Sequence, residues 1–202
     1  MRNVPNALSF GRLVATIPLF VLILINTPAA FVAATVLFFF ASVTDLLDGR
    51  LARKYQVVSN LGVFLDLTAD KIFVAVLLIA LVQVRLAPAW IASVIVTREF
   101  LVSGLRSVAA ARGVVIPAGN LGKQKTLLTL LGLGGILLSR GLNGLTAFPL
   151  GLSTATHAPA AFGDFLLALA DAVLLLAVVW TALSAYDYLR RGWGILFAPA
   201  QS

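Results

Sequence analysis

Four aspartates lie in two pairs whose spacing fits an α-helix. Asp45 and Asp48 are three residues apart, and Asp66 and Asp70 are four apart, so each pair occupies one side of a helix. Four carboxylates brought together without cations would repel one another. Divalent cations remove that repulsion, and two of them could hold a phosphoryl group between them. The pattern predicts a two-metal site for phosphoryl transfer, with two Mg²⁺ ions, or Mn²⁺ in their place.

Residues around the aspartates favour a phosphate-bearing ligand. Gly49 and Gly62 have no side chain, so a ligand could approach the backbone there. Arg53 can donate two parallel hydrogen bonds to a phosphate. The chain has no cysteine, which excludes thiolate ligands, disulfides and cysteine nucleophiles. Its one histidine, His157, falls on a predicted outer loop, so the aspartates are the candidates for acid–base chemistry.

The composition predicts that these residues lie in an integral membrane protein. Of the 202 residues, 60% are hydrophobic and 11% are charged, whereas globular proteins have about 45–50% and about 25%. So few charges could not cover a water-exposed surface. The net charge of +7 is therefore interpreted as an excess of Lys and Arg in loops that face the cytoplasm. We expect the protein to contact membrane lipids and not to bind nucleic acid.

The hydropathy pattern predicts an all-α polytopic fold with six transmembrane helices. A span needs about 20 residues, and Pro, Asn and charged residues mark the breaks between them. One membrane domain is expected over 1–202, with a short interfacial segment at about 1–10 and a long loop or re-entrant piece at 140–161. The predicted helices cover 10–26, 29–54, 61–84, 89–111, 120–138 and 162–189.

The distribution of positive charge predicts the orientation. Six spans place both termini on one side of the membrane, and only Arg85 and Arg140 fall on the opposite side. Such a bias indicates that the terminal side is cytoplasmic, which predicts a multi-pass protein of the cell's inner membrane. Thirteen basic residues fall on the terminal side: Arg2, Arg12, Arg50, Arg53, Lys54, Lys71, Arg98, Arg106, Arg112, Lys123, Lys125, Arg190 and Arg191.

The aspartates of the two pairs lie inside the ends of predicted spans. A charge at membrane depth costs at least about 2.5–3.5 kcal/mol unless it is paired or hydrated. The sequence therefore predicts a polar cavity that opens to the cytoplasm.

The same stretch resembles the signature of the CDP-alcohol phosphotransferase family. All eight fixed positions match over 26 residues, and the six-helix layout resembles the family over nearly the whole chain. The matching positions are Asp45, Asp48, Gly49, Ala52, Arg53, Gly62, Asp66 and Asp70.

The resemblance implies an enzyme that uses a CDP-linked lipid donor. One divalent metal would bind Asp45, Asp48 and Asp66, and the other Asp45, Asp66 and Asp70. Asp70 would also act as the general base toward the acceptor hydroxyl, and the family resemblance suggests a homodimer. The residues expected to bind CDP-diacylglycerol are Gly49, Ala52, Arg53, Ser59 and Gly62.

Further segments resemble the branch of the family whose acceptor is sn-glycerol 3-phosphate. They are Val4 to Arg12, Arg98 to Arg106, and Gly122 to Thr126. Two residues depart from that pattern, Leu67 where Pro is expected and Thr129 where Gln is expected.

The basic residues of these segments suit a phosphorylated acceptor. Arg98 and Arg106 lie two turns apart on one helix, and Lys123 and Lys125 lie at a helix N-terminus that favours anions. These four are the predicted ligands of the acceptor phosphate. Positive-inside topology or contact with anionic lipids would also place basic residues here. Glu99 is expected to pair with a neighbouring arginine.

Three other functions compete with this prediction. The same chemistry could use phosphatidylglycerol, as in a cardiolipin synthase, or an inositol phosphate as acceptor. A membrane prenyltransferase also uses Asp-rich Mg²⁺ motifs but would need more helices. An ion or metal transporter would favour midplane sites and repeated halves. Gly132, Gly134 and Gly135 are predicted to allow close helix packing.

Overall fold

The computed structural model describes residues 4–55, 60–114, 117, 119–142 and 162–197. Side chains are described for 10–44, 67–114, 117, 119–142 and 163–190. This part of the chain forms six α-helices and no strand, which confirms the predicted all-α class. The helices are α1 Val4–Ile25, α2 Pro28–Tyr55, α3 Asn60–Gln83, α4 Ala89–Ala111, α5 Asn120–Gly141 and α6 Phe162–Phe197.

Three helices extend past their predicted bounds by three residues or more. α1 begins at Val4 because Pro5 is tolerated in the first turn of a helix, so the predicted interfacial segment continues into α1. α6 extends to Phe197 because no proline interrupts it before Pro199. α5 also runs three residues past its predicted end. The predicted long loop at 140–161 falls, from residue 143 onward, outside the described residues.

The turns between helices have identifiable local causes. Asn26 has φ 51°, a left-handed conformation that Asn tolerates better than most residues, and Pro28 then begins α2. Arg85 has φ 60° between α3 and α4, and Pro88 is extended just before α4. Gly113, with φ 73°, follows the end of α4, where glycine has no Cβ to clash. These residues explain why α4 has its predicted bounds.

The six helices close into a ring. Each helix has its main contacts with two others, in the order α1, α2, α5, α6, α4, α3 and back to α1. The consecutive pairs α1/α2, α3/α4 and α5/α6 are therefore neighbours, as short connections between antiparallel helices favour. Buried Leu, Ile, Phe and Ala residues from all six helices fill the centre.

The interface between α5 and α6 depends on glycine. A Cβ at Gly132 would lie 3.2 Å from the backbone nitrogen of Leu174, and one at Gly135 would lie 2.8 Å from the Cβ of Ala170. At Gly134 it would meet the ring of Phe38 at 2.9 Å. The structure confirms that these glycines allow close helix packing. This packing sets the distance between α6 and α5, and α5 is one of the helices that line the polar site around Asp70.

The apolar surface is consistent with a helical membrane protein. Large apolar side chains lie exposed on outer helix faces, Ile17, Phe39, Phe40 and Phe165 among them. Within the described residues, one stretch, Gly163–Arg190, is long and apolar enough to span a membrane, with a mean hydropathy of 2.4. Shorter apolar stretches occur in α1 and α2. The six-span arrangement stays a prediction.

Candidate functional site

The contact between Phe38 and Phe73 bears on the relative heights of the two aspartate-bearing segments. Phe38 of α2 stacks on Phe73 of α3, with ring centroids 5.7 Å apart, and the two consecutive helices are antiparallel. Asp45 lies seven residues beyond Phe38, and Asp66 seven residues before Phe73. Seven residues are about two turns, or about 10.5 Å, and return to nearly the same side of a helix. Helical geometry therefore predicts similar heights for positions 45 and 66 along α2 and α3.

Most of the predicted metal and donor residues lie where side chains are not described. α2 and α3 are continuous through the positions that lie on them. Ser59, between the two helices in the sequence, lies outside the described residues. Among the described side chains, no three His, Asp or Glu residues form a group that could hold a metal. The two-metal site and the donor site stay predictions. The residues concerned are Asp45, Asp48, Gly49, Ala52, Arg53, Ser59, Gly62 and Asp66.

Asp70 is the one predicted metal ligand whose side chain is described. It is partly buried and lines a polar cavity between α3, α4 and α5. Lys125, predicted to bind the acceptor phosphate, lies on the same cavity wall, so the structure brings the predicted base and one predicted acceptor ligand together. The cavity is lined by Asp70, Lys71, Val74, Glu99, Lys125, Thr126 and Thr129.

Glu99 connects two of the predicted acceptor ligands. Its carboxylate forms an ion pair with the ammonium of Lys125 and lies 3.6 Å from Nη1 of Arg98. Both cations are buried, Lys125 with 3% and Arg98 with 8% of its surface exposed. The expected pairing of Glu99 with a neighbouring arginine is confirmed. The pairing with Lys125 was not predicted, because the two residues lie on different helices.

Helix α6 supports Arg98 from the other side. Nη2 of Arg98 donates a hydrogen bond to Oγ of Ser184 at 2.5 Å, and the guanidinium lies 5.6 Å from the ring centroid of Tyr188, a cation–π distance. The Tyr188 hydroxyl accepts a hydrogen bond from the backbone nitrogen of Gly119 at 3.1 Å. Sequence reasoning missed Ser184 and Tyr188. Their four-residue spacing places both on one side of α6 and was the available signal.

Arg106 and Lys123 lie apart from this network. Arg106 is exposed and lines a second groove, between α3 and α4, together with Lys71, Ser103 and Ser107. Lys71 lines both the groove and the Asp70 cavity. Lys123 is exposed near the start of α5. The four predicted acceptor ligands thus occupy three neighbouring places, and their shared role stays a prediction.

The departures from the expected pattern have simple local environments. Leu67 is 50% exposed on α3. Thr129 lines the Asp70 cavity, and its hydroxyl donates to the backbone carbonyl of Lys125 at 2.9 Å. Neither residue disturbs the contacts of Arg98 or Glu99.

Comparison with known proteins gives one family throughout. The family model of the CDP-alcohol phosphatidyltransferases matches residues 2–158. The chain is 37% identical over 209 residues to the CDP-diacylglycerol–glycerol-3-phosphate 3-phosphatidyltransferase of Bacillus subtilis, covering 97% of this chain and 98% of that protein. The protein of the same name from Rickettsia bellii is 41% identical over 143 residues, covering 70% and 78%. A probable phosphatidylglycerophosphate synthase of Mycobacterium tuberculosis is 35% identical over 193 residues, covering 94% and 81%.

Proposed function

The chain belongs to the CDP-alcohol phosphatidyltransferase family, and from this premise we propose that it transfers the phosphatidyl group of CDP-diacylglycerol to sn-glycerol 3-phosphate. The products are phosphatidylglycerophosphate and CMP, and the reaction belongs to phospholipid biosynthesis. The observation that carries the proposal is the near full-length similarity to a relative named for this reaction. The match at all eight signature positions between Asp45 and Asp70 supports the same chemistry.

The proposed site holds two divalent ions, Mg²⁺ or Mn²⁺. Asp45, Asp48 and Asp66 are assigned to one ion, and Asp45, Asp66 and Asp70 to the other. Support comes from the register of α2 and α3 around the stacked phenylalanines and from the place of Asp70 on a polar cavity. Carboxylate oxygens are the ligands that such hard cations prefer. When bound, the ions neutralise negative charge on the phosphates of the donor.

The proposed reaction is a single displacement at phosphorus. The primary hydroxyl oxygen of the acceptor forms a bond to the lipid-side phosphorus of the donor. The bond from that phosphorus to the bridging oxygen breaks, CMP leaves with the electron pair, and Asp70 accepts the proton of the hydroxyl. None of the assigned residues serves as a covalent nucleophile, and the chain has no cysteine for that role. Direct attack requires only the residues already assigned.

Donor and acceptor are assigned to different helices. The residues assigned to the donor lie at the end of α2, between α2 and α3, and at the start of α3. They are Gly49, Ala52, Arg53, Ser59 and Gly62. The acceptor phosphate is assigned to the basic residues of α4 and α5, which are Arg98, Arg106, Lys123 and Lys125. The support for the acceptor assignment is that two of these cations are buried beside the cavity that contains Asp70.

An acceptor panel tests the proposed function. The purified chain in detergent is given CDP-diacylglycerol, Mg²⁺ and one acceptor at a time: sn-glycerol 3-phosphate, phosphatidylglycerol or an inositol phosphate. CMP release and the mass of the lipid product are measured. We expect glycerol 3-phosphate to give by far the highest kcat/KM. A preference for phosphatidylglycerol would instead identify a cardiolipin synthase, and the proposal would be wrong.

The proposed setting is the cell's inner membrane, crossed six times, with both termini and the site on the cytoplasmic side. The basic residues at the terminal side of the predicted spans support this orientation. Because the chain has no cysteine, this orientation can be tested with single cysteines. One variant replaces Gln83 at the end of α3, and the other replaces Val114 after α4. A membrane-impermeant maleimide applied to cells should label Gln83→Cys only, and the reverse pattern would refute the orientation.

The proposed homodimer is tested by light scattering in detergent.

A further inference from the structure

Glu99 is the only glutamate of the chain, and it lies between two buried cations. It contacts Lys125 on α5 and Arg98 on α4. Burying a charge without a partner is strongly unfavourable. Without the carboxylate, two buried positive charges would face each other.

The two cations depend on Glu99 to different degrees. Arg98 is also held by the Ser184 hydroxyl at 2.5 Å and by the ring of Tyr188. In the described part of the chain, Lys125 has one ion-pair partner, which is Glu99. The position of Arg98 is therefore set largely by α6. The position of the Lys125 ammonium is set by Glu99.

The charges that line the Asp70 cavity cancel. The lining contains the carboxylates of Asp70 and Glu99 and the ammonium groups of Lys71 and Lys125. An ammonium has three N–H donors, so Lys125 can keep its bond to Glu99 and still donate to a phosphate oxygen. Such a donor is useful only if it is held at the cavity wall. Preorganisation of this kind strengthens binding because less freedom is lost when the ligand arrives.

We propose that Glu99 is a positioning residue for the acceptor, which holds the Lys125 ammonium at the wall of the Asp70 cavity so that it binds the phosphate of glycerol 3-phosphate. Glu99 does not touch the acceptor and acts through Lys125. This inference rests on the proposed function, since it takes glycerol 3-phosphate as the acceptor. It assigns no role in binding the donor, whose residues precede α4 in the chain.

A double-mutant cycle tests the inference. Steady-state kinetics of the wild type, Glu99→Gln, Lys125→Met and the double variant give KM for each substrate. We expect Glu99→Gln to raise KM for glycerol 3-phosphate about tenfold or more, with KM for CDP-diacylglycerol changed less than about twofold, since binding of one substrate is lost. If Glu99 acts through Lys125, the double variant should be no worse than Lys125→Met alone.

Controls separate positioning from a general structural effect. Asp164→Asn, the same chemical change in the first turn of α6, should leave both KM values unchanged. Glu99→Asp keeps the charge but shortens the reach, so an intermediate KM for glycerol 3-phosphate is expected, and it serves if Glu99→Gln does not fold. Unchanged KM in Glu99→Asp and Glu99→Gln, equal changes in both KM values, or effects that multiply in the double variant would overturn the inference.

Turnover by the wild type separates this inference from the proposed function. A wild type that does not use glycerol 3-phosphate contradicts the proposed function, and the role of Glu99 falls with it. A wild type that uses glycerol 3-phosphate but shows independent effects in the cycle overturns the role of Glu99 alone.

Discussion

Replacement of Asp70 by asparagine is expected to lower kcat by about 10²–10⁴-fold, the usual loss when a general base is removed. The amide has nearly the shape of the carboxylate but cannot accept the proton of the acceptor hydroxyl. Proton removal is needed only in the chemical step, so binding of CDP-diacylglycerol should weaken less than in variants of the other three aspartates. The measurements are kcat from CMP release and donor affinity from equilibrium binding in detergent.

Asp187→Asn is the matched control for Asp70→Asn. Asp187 lies on α6 with its carboxylate near Gly119, outside the lining of the Asp70 cavity. The same change of carboxylate to amide there should leave kcat within about twofold, as is usual for substitutions away from the reacting groups. An Asp70→Asn enzyme with near wild-type kcat would show that another group accepts the proton.

Replacement of Asp66 by asparagine is expected to abolish turnover and to weaken donor binding at the same time. Asp66 is assigned to both metal ions, so its loss removes charge that the donor's phosphates need. Asp45→Asn and Asp48→Asn should behave alike. The test is to measure donor binding and CMP release for each variant over a Mg²⁺ titration.

Metal removal provides the internal comparison for Asp66→Asn. Treatment of the wild type with a chelator should reproduce the loss of donor binding, and readdition of Mg²⁺ should reverse it. The chelator should have little further effect on the Asp66→Asn variant, because both treatments remove the same ions. Near-normal activity of Asp66→Asn with Mg²⁺ present would contradict the two-metal assignment.

Local sequence patterns predicted most helix positions well. Pro88 and Gly113 delimit α4, so its bounds of 89–111 were predicted correctly. The spacing of three and four residues within the aspartate pairs needs only helical periodicity to place each pair on one side. The start of α1 was predicted too late, at residue 10, because about residues 1–10 were assigned to a separate interfacial segment, whereas the helix begins at Val4.

Contacts between distant helices could not be predicted in the same way. Arg98 bonds to Ser184, 86 residues later in the chain, and Glu99 pairs with a lysine on another helix. Which helices face each other depends on packing around the whole ring, including the close approach at Gly135. Periodicity along one helix contains no information on that choice. The sequence therefore predicted the pairing of Glu99 with an arginine but not its second partner, Lys125.

The proposed reaction is direct attack of glycerol 3-phosphate on the donor phosphorus, without a phosphatidyl-enzyme. The most direct measurement is isotope exchange: purified enzyme, Mg²⁺, CDP-diacylglycerol and radiolabelled CMP are incubated with and without glycerol 3-phosphate. With direct attack, no label enters the donor when the acceptor is absent. In a separate incubation without added CMP and with the acceptor present, the amount of CMP released equals the amount of phosphatidylglycerophosphate formed. Label in CDP-diacylglycerol without acceptor would require a covalent intermediate and would contradict direct attack.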